Sequence, residues 1–578
     1  MKRLSRWMCI AAGLLSAVAA AAAEPSEQPA RRVMAFYYPW YGTADGPGGA
    51  GRVVHWGRIE ADKNEISDST HYPLDGAYDS HCPQVIDRHC RQAQESGIDT
   101  LIVSWWGAGS YEDRAMPQIL DACRRYGLTA SIYYETVPPP QTAQSACSDI
   151  LRNVLQNYAS HPAWLRHSGK PVVFVYARAV EEIGLFGWHQ VKQRLQTEFP
   201  GGAVLIGDGF SYGTAAVFDG LHTYNPAGQL ADKTLRQVRS WCAQTYPQWI
   251  QTARQQGRIV ALTVIPGYDD TKIRTPGLKV SRLNGDLYAL QWAAAVKAAP
   301  DWILITSFNE WHEGSEIEPS VEYGDAYLKL TARFSREFRA IPPASKTVEP
   351  VLSASVQKRL QEAFTNRSVA VLPEPSSTAF WLLLKQQSDL KILSWQEVVG
   401  GDLTKEHYSM VLYAGGETYR TTVFQEGDVR RALEAYVQSG GTLAVLPAQP
   451  WPFYYNEQGH VVNDSARYGL TIKGGWEQPP ADKELFFEPS AEKKVLSQPI
   501  PFPASGDRRW RPFVRSPHHV EYRPLLVLKD RQGNSYGDGL VLAKTADGGI
   551  IAYGWFGLLN TPQAEAVLTE LFLQLTEQ

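Results

Sequence analysis

Short apolar runs alternate with helical patterns from Arg32 to about Ala340, and this alternation constrains the fold more than any other feature of the chain. Most of the runs are apolar without interruption, as expected for parallel strands that are buried on both faces. Eight runs are predicted strands: 33–40, 99–106, 128–135, 171–177, 203–208, 216–223, 258–265 and 302–308. The helical patterns between them include 83–96, 115–126, 147–159 and 287–298. The repeated unit predicts a (β/α)8 barrel over residues 32–340.

A doubly wound open sheet is the alternative to the barrel. It is disfavoured because the first predicted strand does not lead directly into a G-x-G-x-x-G turn that opens a helix. Polar and aromatic residues instead follow many of the strands, and in a barrel these carboxyl ends build the active site. The positions are Tyr37, Tyr38, Trp40, Tyr41, Trp105, Trp106, Tyr134, Glu135, Tyr176, Asp208, His222, Tyr224, Tyr268, Asp269, Arg274 and 309–313.

The chain has 578 residues, which is more than the barrel needs. Residues 341–355 contain the segment PPASKTVEPVLS and are interpreted as a linker. Beyond it, the strand and helix patterns start again, which predicts a second, smaller α/β domain over residues 356–578. The predicted architecture is therefore a TIM-like barrel followed by a separate α/β domain.

The N-terminus has the pattern of an export signal. Lys2, Arg3 and Arg6 precede an apolar run that ends in the small residues 21–23, and cleavage is predicted after Ala23. The run is short for a membrane span of about 20 residues, so an uncleaved anchor is the minor alternative. We expect a mature chain without a transmembrane segment, exported to the periplasm or secreted.

Charge and motif spacing exclude several function classes. The formal net charge of −4 offers no basic surface for nucleic acid. The segment HEGSE lacks the second histidine of the H-E-x-x-H zinc motif, and the glycine-rich segment 45–51 lacks the Lys-Ser/Thr of a phosphate loop. No metal and no cofactor are predicted.

The segment Ile305–Ser320 (ITSFNEWHEGSEIEPS) holds the clearest chemical signal. Glu310 and Glu313 are three residues apart, a spacing that puts both on one face of a helical turn. Two carboxylates with separated pKa values can act as acid and base, and glycoside hydrolysis uses such a pair. The alternative interpretation is a capped, salt-bridged helix start. A position at the end of a barrel strand favours catalysis.

Seven motifs in order over about residues 32–338 resemble glycoside hydrolase family 99, the endo-α-mannosidase and endo-α-mannanase family. They are FYYPWYG, HW, VSWWG, GKPVVFVY, FDGLHTY, PGYDDTKIR and SFNEWHEGSEIEP. The resemblance implies a (β/α)8 barrel that cleaves α-mannosidic linkages inside a polysaccharide or glycan with retention of configuration. It also implies that no metal is needed.

The resemblance further implies an unusual mechanism. One carboxylate takes the proton of the sugar's own 2-hydroxyl, which attacks the anomeric carbon to give a 1,2-anhydro sugar, and the other protonates the departing oxygen and then activates water. By motif position, Glu310 is the base and Glu313 the general acid/base. Strand ends and motifs also predict a substrate-binding set, in which Tyr41, Trp105 or Trp106, and Tyr224 could each equally be core. Trp40 and Trp302 are predicted to pack in the core. The set is Tyr41, His55, Trp56, Trp105, Trp106, Glu135, Tyr224, Tyr268, Arg274, Asn309 and His312.

The second domain lies outside this resemblance. Its segments YVQSGGTLAVLP (436–447) and GGIIAYGWFGLL (548–559) loosely resemble the flavodoxin-like class I glutamine-amidotransferase fold. No cysteine follows Cys242, so the amidotransferase nucleophile is excluded. By analogy, such modules are accessory or oligomerising units, which leaves a homo-oligomer through this domain as one expectation.

A non-hydrolytic glycan-binding protein, or an accessory protein of polysaccharide synthesis or export, is the alternative function on the same barrel. The presence of both Glu310 and Glu313 favours the enzyme. A related enzyme that acts on a different sugar is a third reading, which one sequence does not separate from the first.

Overall fold

The computed structural model describes residues 31–342, 353–386, 390–416, 429–449, 454–455, 461–462, 465–472, 479–480, 483–490, 498–503 and 508–577. The predicted signal segment 1–23 and most of the predicted linker 341–355 lie outside the described residues. The domain boundaries drawn from the sequence therefore stay predictions.

The first part of the chain is a closed barrel of eight parallel strands, as predicted. They pair in the order β3-β2-β1-β8-β7-β6-β5-β4, and pairing of β3 with β4 closes the barrel. The strands are β1 (Arg32–Tyr37), β2 (Thr100–Trp105), β3 (Thr129–Tyr134), β4 (Lys170–Val175), β5 (Val204–Asp208), β6 (Gly220–His222), β7 (Ile259–Val264) and β8 (Trp302–Ile305).

One helix follows each strand and covers the outside of the barrel. The helices are α1 (Pro83–Glu95), α2 (Tyr111–Arg125), α3 (Ala143–Asp149, continued with wider turns over Ile150–Leu155), α4 (Ala177–Glu198), α5 (Tyr212–Val217), α6 (Leu235–Arg254), α7 (Asp286–Ala298) and α8 (Ala326–Ala340). Helix α2 begins one turn before its predicted start, because the Ser110 hydroxyl accepts a hydrogen bond from the Asp113 N–H and caps the helix. The predicted strand 216–223 is wrong in its first half, where α5 ends at Val217.

Alternation along each strand divides the core into two layers. In β1, Met34 and Phe36 point into the barrel, where they join Trp302 and Phe174, while Val33 points outward to the helices. Trp302 is buried and packs in the barrel interior, as predicted. Because all eight strands are parallel, their carboxyl ends lie at the same end of the barrel.

The second domain is built on a nine-stranded sheet in the order β10-β9-β11-β12-β17-β16-β15-β13-β14. Its first five strands are parallel in the flavodoxin-like order 2-1-3-4-5, which matches the predicted α/β fold, and the last four extend the sheet with antiparallel pairings. The strands are β9 (Val369–Val371), β10 (Lys391–Ile392), β11 (Met410–Tyr413), β12 (Thr442–Val445), β13 (Leu485–Pro489), β14 (Ile500–Pro501), β15 (His519–Asp530), β16 (Ser535–Thr545) and β17 (Ile550–Gly554). The helices are α9 (Ala354–Phe364), α10 (Thr378–Gln386), α11 (Trp395–Val399), α12 (Val429–Gln438) and α13 (Ala564–Thr576).

Helix α10 of the second domain packs directly on the barrel. Trp381 is buried, and its ring lies 5.7 Å from that of His189 on α4. Gly213 on α5 comes so close that a Cβ there would lie 2.9 Å from the Trp381 Nε1. Lys385 donates to the side-chain oxygen of Gln256 at 2.8 Å. These contacts fix one face of the second domain against the barrel.

Candidate active site

A cleft opens at the carboxyl end of the barrel, where the chemistry of this fold is normally placed. Residues after seven of the eight strands contribute to it. The lining residues are Tyr38, Trp40, Trp106, Tyr133, Glu135, Tyr176, Arg178, Tyr224, Ile273, Arg274, Glu310, His312 and Glu313. The two predicted catalytic carboxylates therefore lie in one cleft, on the loop that follows β8.

Glu310 is almost fully buried at the base of this loop. Its backbone N–H donates to the Ser307 hydroxyl at 2.7 Å, and its Oε1 accepts from the His312 N–H at 3.0 Å and the Tyr41 hydroxyl at 3.4 Å. The other oxygen, Oε2, is buried and has no hydrogen-bond partner among the described residues. Burial, and then the negative charge of Glu313, raise the pKa of Glu310 well above its usual range.

Glu313 has a different environment. Its Oε1 accepts from Arg274 at 3.2 Å, and its Oε2 accepts from the Tyr224 hydroxyl at 3.0 Å. Burial raises the pKa of Glu313, while the Tyr268 hydroxyl and the Arg274 charge oppose that rise. Its backbone oxygen accepts from the Asp269 N–H at 2.7 Å and ties the two loops together.

The two carboxyls can hold one proton between them. Because Glu313 has a cation and a hydroxyl donor, its charged form is the better stabilised of the pair. In the substrate-free site the shared proton therefore favours Glu310. A pair with unequal environments is the arrangement that acid–base chemistry requires.

A third carboxyl, that of Glu135, lies across the cleft at the end of β3. The Ser104 hydroxyl donates to its Oε1 at 2.8 Å. Burial raises the pKa of Glu135 to about 8, against the opposing effects of Ser104 and Arg178. The Arg178 guanidinium stands 5.0 Å from the Trp106 ring, so this side of the cleft offers a flat aromatic surface and a cation.

A buried hydrogen-bond network holds the catalytic loop against the first strand. Asn309 accepts from the Tyr38 N–H at 2.8 Å and donates to the Tyr38 carbonyl at 3.0 Å and the Tyr78 hydroxyl at 3.2 Å. Tyr78 in turn donates to Glu318 at 2.7 Å, and the Trp311 indole donates to the same carboxylate at 3.1 Å. The position of Glu310 is therefore set by residues on both sides of it.

The structure divides the predicted site residues into two groups. One group lines the cleft: Trp106, Glu135, Tyr224, Arg274, Glu310, His312 and Glu313. The other group lies behind or beside it: Tyr41, His55, Trp56, Trp105, Tyr268 and Asn309.

Strand alternation and packing explain why the residues of the second group do not line the cleft. Trp105 is an outward residue of β2: it is buried against α2 and its indole donates to Asp113 at 2.7 Å, so only its neighbour Trp106 reaches the cleft. Trp56 is fully buried and stacks on the Tyr41 ring at 4.1 Å, and Asn309 is likewise fully buried. These contacts place the residues behind the cleft lining, where they support the surrounding segments.

Tyr268, His55 and Trp40 lie around the rim of the cleft or form part of its lining. Tyr268 supports Arg274 by accepting from its guanidinium at 2.8 Å. His55 is exposed and stacks on Trp40 with ring centroids 4.6 Å apart, and its carbonyl accepts from the His312 ring. Trp40 itself lines the cleft, which corrects its predicted place in the core.

Five other lining residues were not in the predicted set. Tyr38 and Tyr176 are among the strand-end positions that the sequence indicates, although the predicted substrate-binding set leaves them out. Tyr133 and Glu135 are two residues apart at the end of β3, so both side chains lie on the inner face of the barrel. The Tyr133 hydroxyl donates to Asp208 at 3.1 Å. Arg178 lies in the first turn of α4, outside the quoted motifs, and Ile273 lies within the PGYDDTKIR motif beside Arg274.

Two further properties concern the described residues as a whole. No group of three or more His, Cys, Asp or Glu side chains in the described ranges is arranged to hold a metal ion. Within the same ranges, no helix combines the length and apolar character needed to cross a membrane.

Comparisons with known proteins agree with this geometry. The family profile described as Glycosyl hydrolase family 99 matches residues 30–331. The human glycoprotein endo-alpha-1,2-mannosidase-like protein is 27% identical over 362 residues, which cover 53% of this chain and 75% of the relative. The mouse glycoprotein endo-alpha-1,2-mannosidase is 27% identical over 361 residues, which cover 53% of this chain and 74% of the relative.

A solved structure, the GH99 endo-alpha-mannosidase from Bacteroides thetaiotaomicron, is 26% identical and covers 54% of this chain and 99% of its own, with a TM-score of 0.46. The profile match spans more than half of the present sequence and contains all of the catalytic loop as far as Ser320. The chain therefore belongs to glycosyl hydrolase family 99 and is a glycoside hydrolase that acts on O-glycosyl bonds.

Proposed function

We propose that this glycoside hydrolase cleaves α-mannosidic linkages, or closely related α-glycosidic ones, inside a polysaccharide or glycan. The mouse relative is named glycoprotein endo-alpha-1,2-mannosidase, and the family profile that this chain matches covers residues 30–331, which hold all eight barrel strands. The observation that carries the proposal is the Glu310–Glu313 pair in one cleft, with Glu310 Oε2 buried and without a partner among the described residues. A buried acceptor of this kind is stabilised when a substrate hydroxyl donates to it.

The mechanism we propose uses that acceptor. A sugar 2-hydroxyl gives its proton to Glu310 as its oxygen attacks the anomeric carbon, and Glu313 protonates the glycosidic oxygen as that bond breaks. Glu313 then takes a proton from water, which opens the 1,2-anhydro sugar at the anomeric carbon, while Glu310 returns its proton to the 2-oxygen. Two inversions leave the product with its original configuration.

This cycle requires the shared proton to lie on Glu313 when the substrate is bound. Donation from the 2-hydroxyl to Glu310 lowers the pKa of that carboxyl, and the glycosidic oxygen accepts from a protonated Glu313. Substrate binding thus favours transfer of the proton from Glu310, where it lies in the substrate-free site, to Glu313.

Substitution of each carboxyl tests these roles. We expect Glu313→Gln to lower kcat on an α-mannan by roughly 10²–10⁴-fold, the usual contribution of a general acid, and to lower it much less on an α-mannobiosyl fluoride, whose leaving group needs no proton. Glu310→Gln should lose activity on both substrates. The exposed Glu337→Gln on α8 is the control. Unchanged mannan hydrolysis by Glu313→Gln would refute the assignment, and glycan binding without any product from the wild type would favour a non-hydrolytic role.

We also propose that the protein is exported to the periplasm or secreted. The support is the basic start, apolar run and small-residue end of residues 1–23. N-terminal sequencing of the protein from fractionated cells should give a mature chain that begins after Ala23. Recovery of the intact N-terminus in the cytoplasmic fraction would contradict the proposal.

A further inference from the structure

We propose that a groove between the barrel and the second domain is a second binding site for a neutral glycan chain. This groove, hereafter the interdomain groove, has a volume of about 1180 Å³. Sites for drug-sized ligands usually measure about 300–1,000 Å³, so it has room for an oligosaccharide. One wall is helix α6 with the turn before it, and the other is the start of α13 with the segments beside it.

The barrel wall presents one face of α6. Trp241, Gln244 and Gln248 follow each other at helical spacing, so they form a row of about 10 Å along the groove. Trp241 is half-buried, while the two glutamines are exposed. A flat ring beside a row of amides can contact the apolar face of a sugar and its hydroxyls at the same time.

The second domain supplies a matching wall. Asn560 and Gln563 are exposed at the start of α13, and the Phe556 ring lies beneath them in the lining. The amides of Gln244, Gln248, Asn560 and Gln563 make no side-chain hydrogen bond to the described residues. Each amide both donates and accepts, and thus suits a ligand rich in hydroxyl groups.

The near absence of charged side chains in the described lining indicates which class of ligand the interdomain groove suits. Among the described lining residues, Lys233 is the single charged side chain. An anionic polymer would need several cations, and an acidic or basic peptide would need charged partners. The lining therefore favours a neutral polyhydroxylated chain.

The start of the groove is close to the cleft along the chain. Tyr224, which donates to Glu313, is four residues from Gly228 at the start of the groove. Four residues span at most about 14 Å. A polymer cut inside its chain extends beyond the cleaved bond, so its distal sugars can reach this wall. The inference rests on the proposed glycan hydrolysis and adds a site that holds the polymer away from the reacting sugars.

Two variants and two substrates test the inference. We expect Trp241→Ala, and separately Gln244→Ala with Gln248→Ala, to raise the KM for a soluble α-mannan about 5–20-fold. Activity on the α-mannobiosyl fluoride, which is too short to reach the groove, should stay within 2-fold of the wild type. The glutamine pair is exposed, so it keeps the test available if Trp241→Ala does not fold. Gln251→Ala, one turn further along α6 and outside the groove lining, is the matched control.

Binding separates failure of this inference from failure of the proposed function. In the Glu313→Gln background, affinity electrophoresis in mannan gels should show retardation that the groove variants lose. An inactive wild type on both substrates would overturn the proposed hydrolysis instead. Equal KM values for mannan in wild type and groove variants, or equal losses on both substrates, would overturn the groove as a glycan site.

Discussion

At the scale of single residues, the environment of each carboxyl matters more than its identity. Glu310 and Glu313 are the same residue type three positions apart, yet only Glu313 contacts a cation. Glu310 instead keeps one buried oxygen without a partner among the described residues. The difference in pKa between the two, and hence the direction of proton movement, follows from these neighbours.

The pH profile tests this difference. Arg274 opposes the rise in the pKa of Glu313, so Arg274→Gln should raise the pKa of the first ionisation of the pair. The proposed mechanism requires the pair to hold one proton, so activity should be lost at low pH, when both carboxyls are protonated. The acidic limb of the kcat/KM profile should therefore move to higher pH by roughly one unit, since an opposite charge nearby shifts a pKa by about 1–3 units.

Lys279→Gln is the control for that shift, because Lys279 pairs with Asp269 at 2.8 Å and is not part of the cleft lining. Profiles measured from pH 4 to 9 use a short α-mannooligosaccharide, because cleavage of its glycosidic bond needs the proton of the pair, whereas cleavage of the fluoride does not. An acidic limb that stays in place in Arg274→Gln, or one that moves equally in Lys279→Gln, would contradict the account.

At the scale of elements, the loop after β8 depends on contacts with segments far along the chain. Asn309 joins the end of β1 through two backbone bonds, and Glu318 closes the same network through Tyr78. These bonds are buried, so each lost partner leaves an unsatisfied group that costs about 1–3 kcal/mol. These bonds hold the loop in place next to Glu310.

Asn309→Ala tests the role of this network. It removes all three side-chain bonds, and we expect a loss of roughly 2–4 kcal/mol in the free energy of unfolding of the barrel. We also expect a fall in kcat, because Glu310 follows directly in the chain. Asn309→Asp keeps the acceptor for the Tyr38 N–H but sets an oxygen against the Tyr38 carbonyl, so it should remain impaired. Full stability of Asn309→Ala in urea denaturation would contradict the role.

At the scale of the whole molecule, the barrel and the second domain share a packed interface through α10. Trp381 is the largest buried contributor, and Gly213 leaves no room for a side chain beneath it. Large aromatic side chains cost about 3–5 kcal/mol when truncated in a core. The interface also sets the distance between the two walls of the interdomain groove.

Trp381→Ala should therefore uncouple the domains. Calorimetry should show the transition of the second domain at lower temperature than in the wild type, with easier proteolysis near residue 353 and little change in the rate on the α-mannobiosyl fluoride. Lys329→Ala, an exposed residue of α8, is the control and should leave both transitions in place. Identical thermograms for Trp381→Ala and wild type would show that the contact does not couple the domains.

The sequence by itself determined the eight strand–helix units, the two neighbouring carboxyls after the eighth strand and the existence of a second α/β domain. These features depend on local periodicity and on motifs that are short along the chain. Only the tertiary structure decided that Trp106 and not Trp105 faces the cleft, and that Trp40 lines the cleft. It also decided that Asn309 and Trp56 are buried beneath the loop after β8. The reason is physical: the side of a strand on which a residue lies depends on its register with neighbours far away in sequence, and a one-residue shift reverses it.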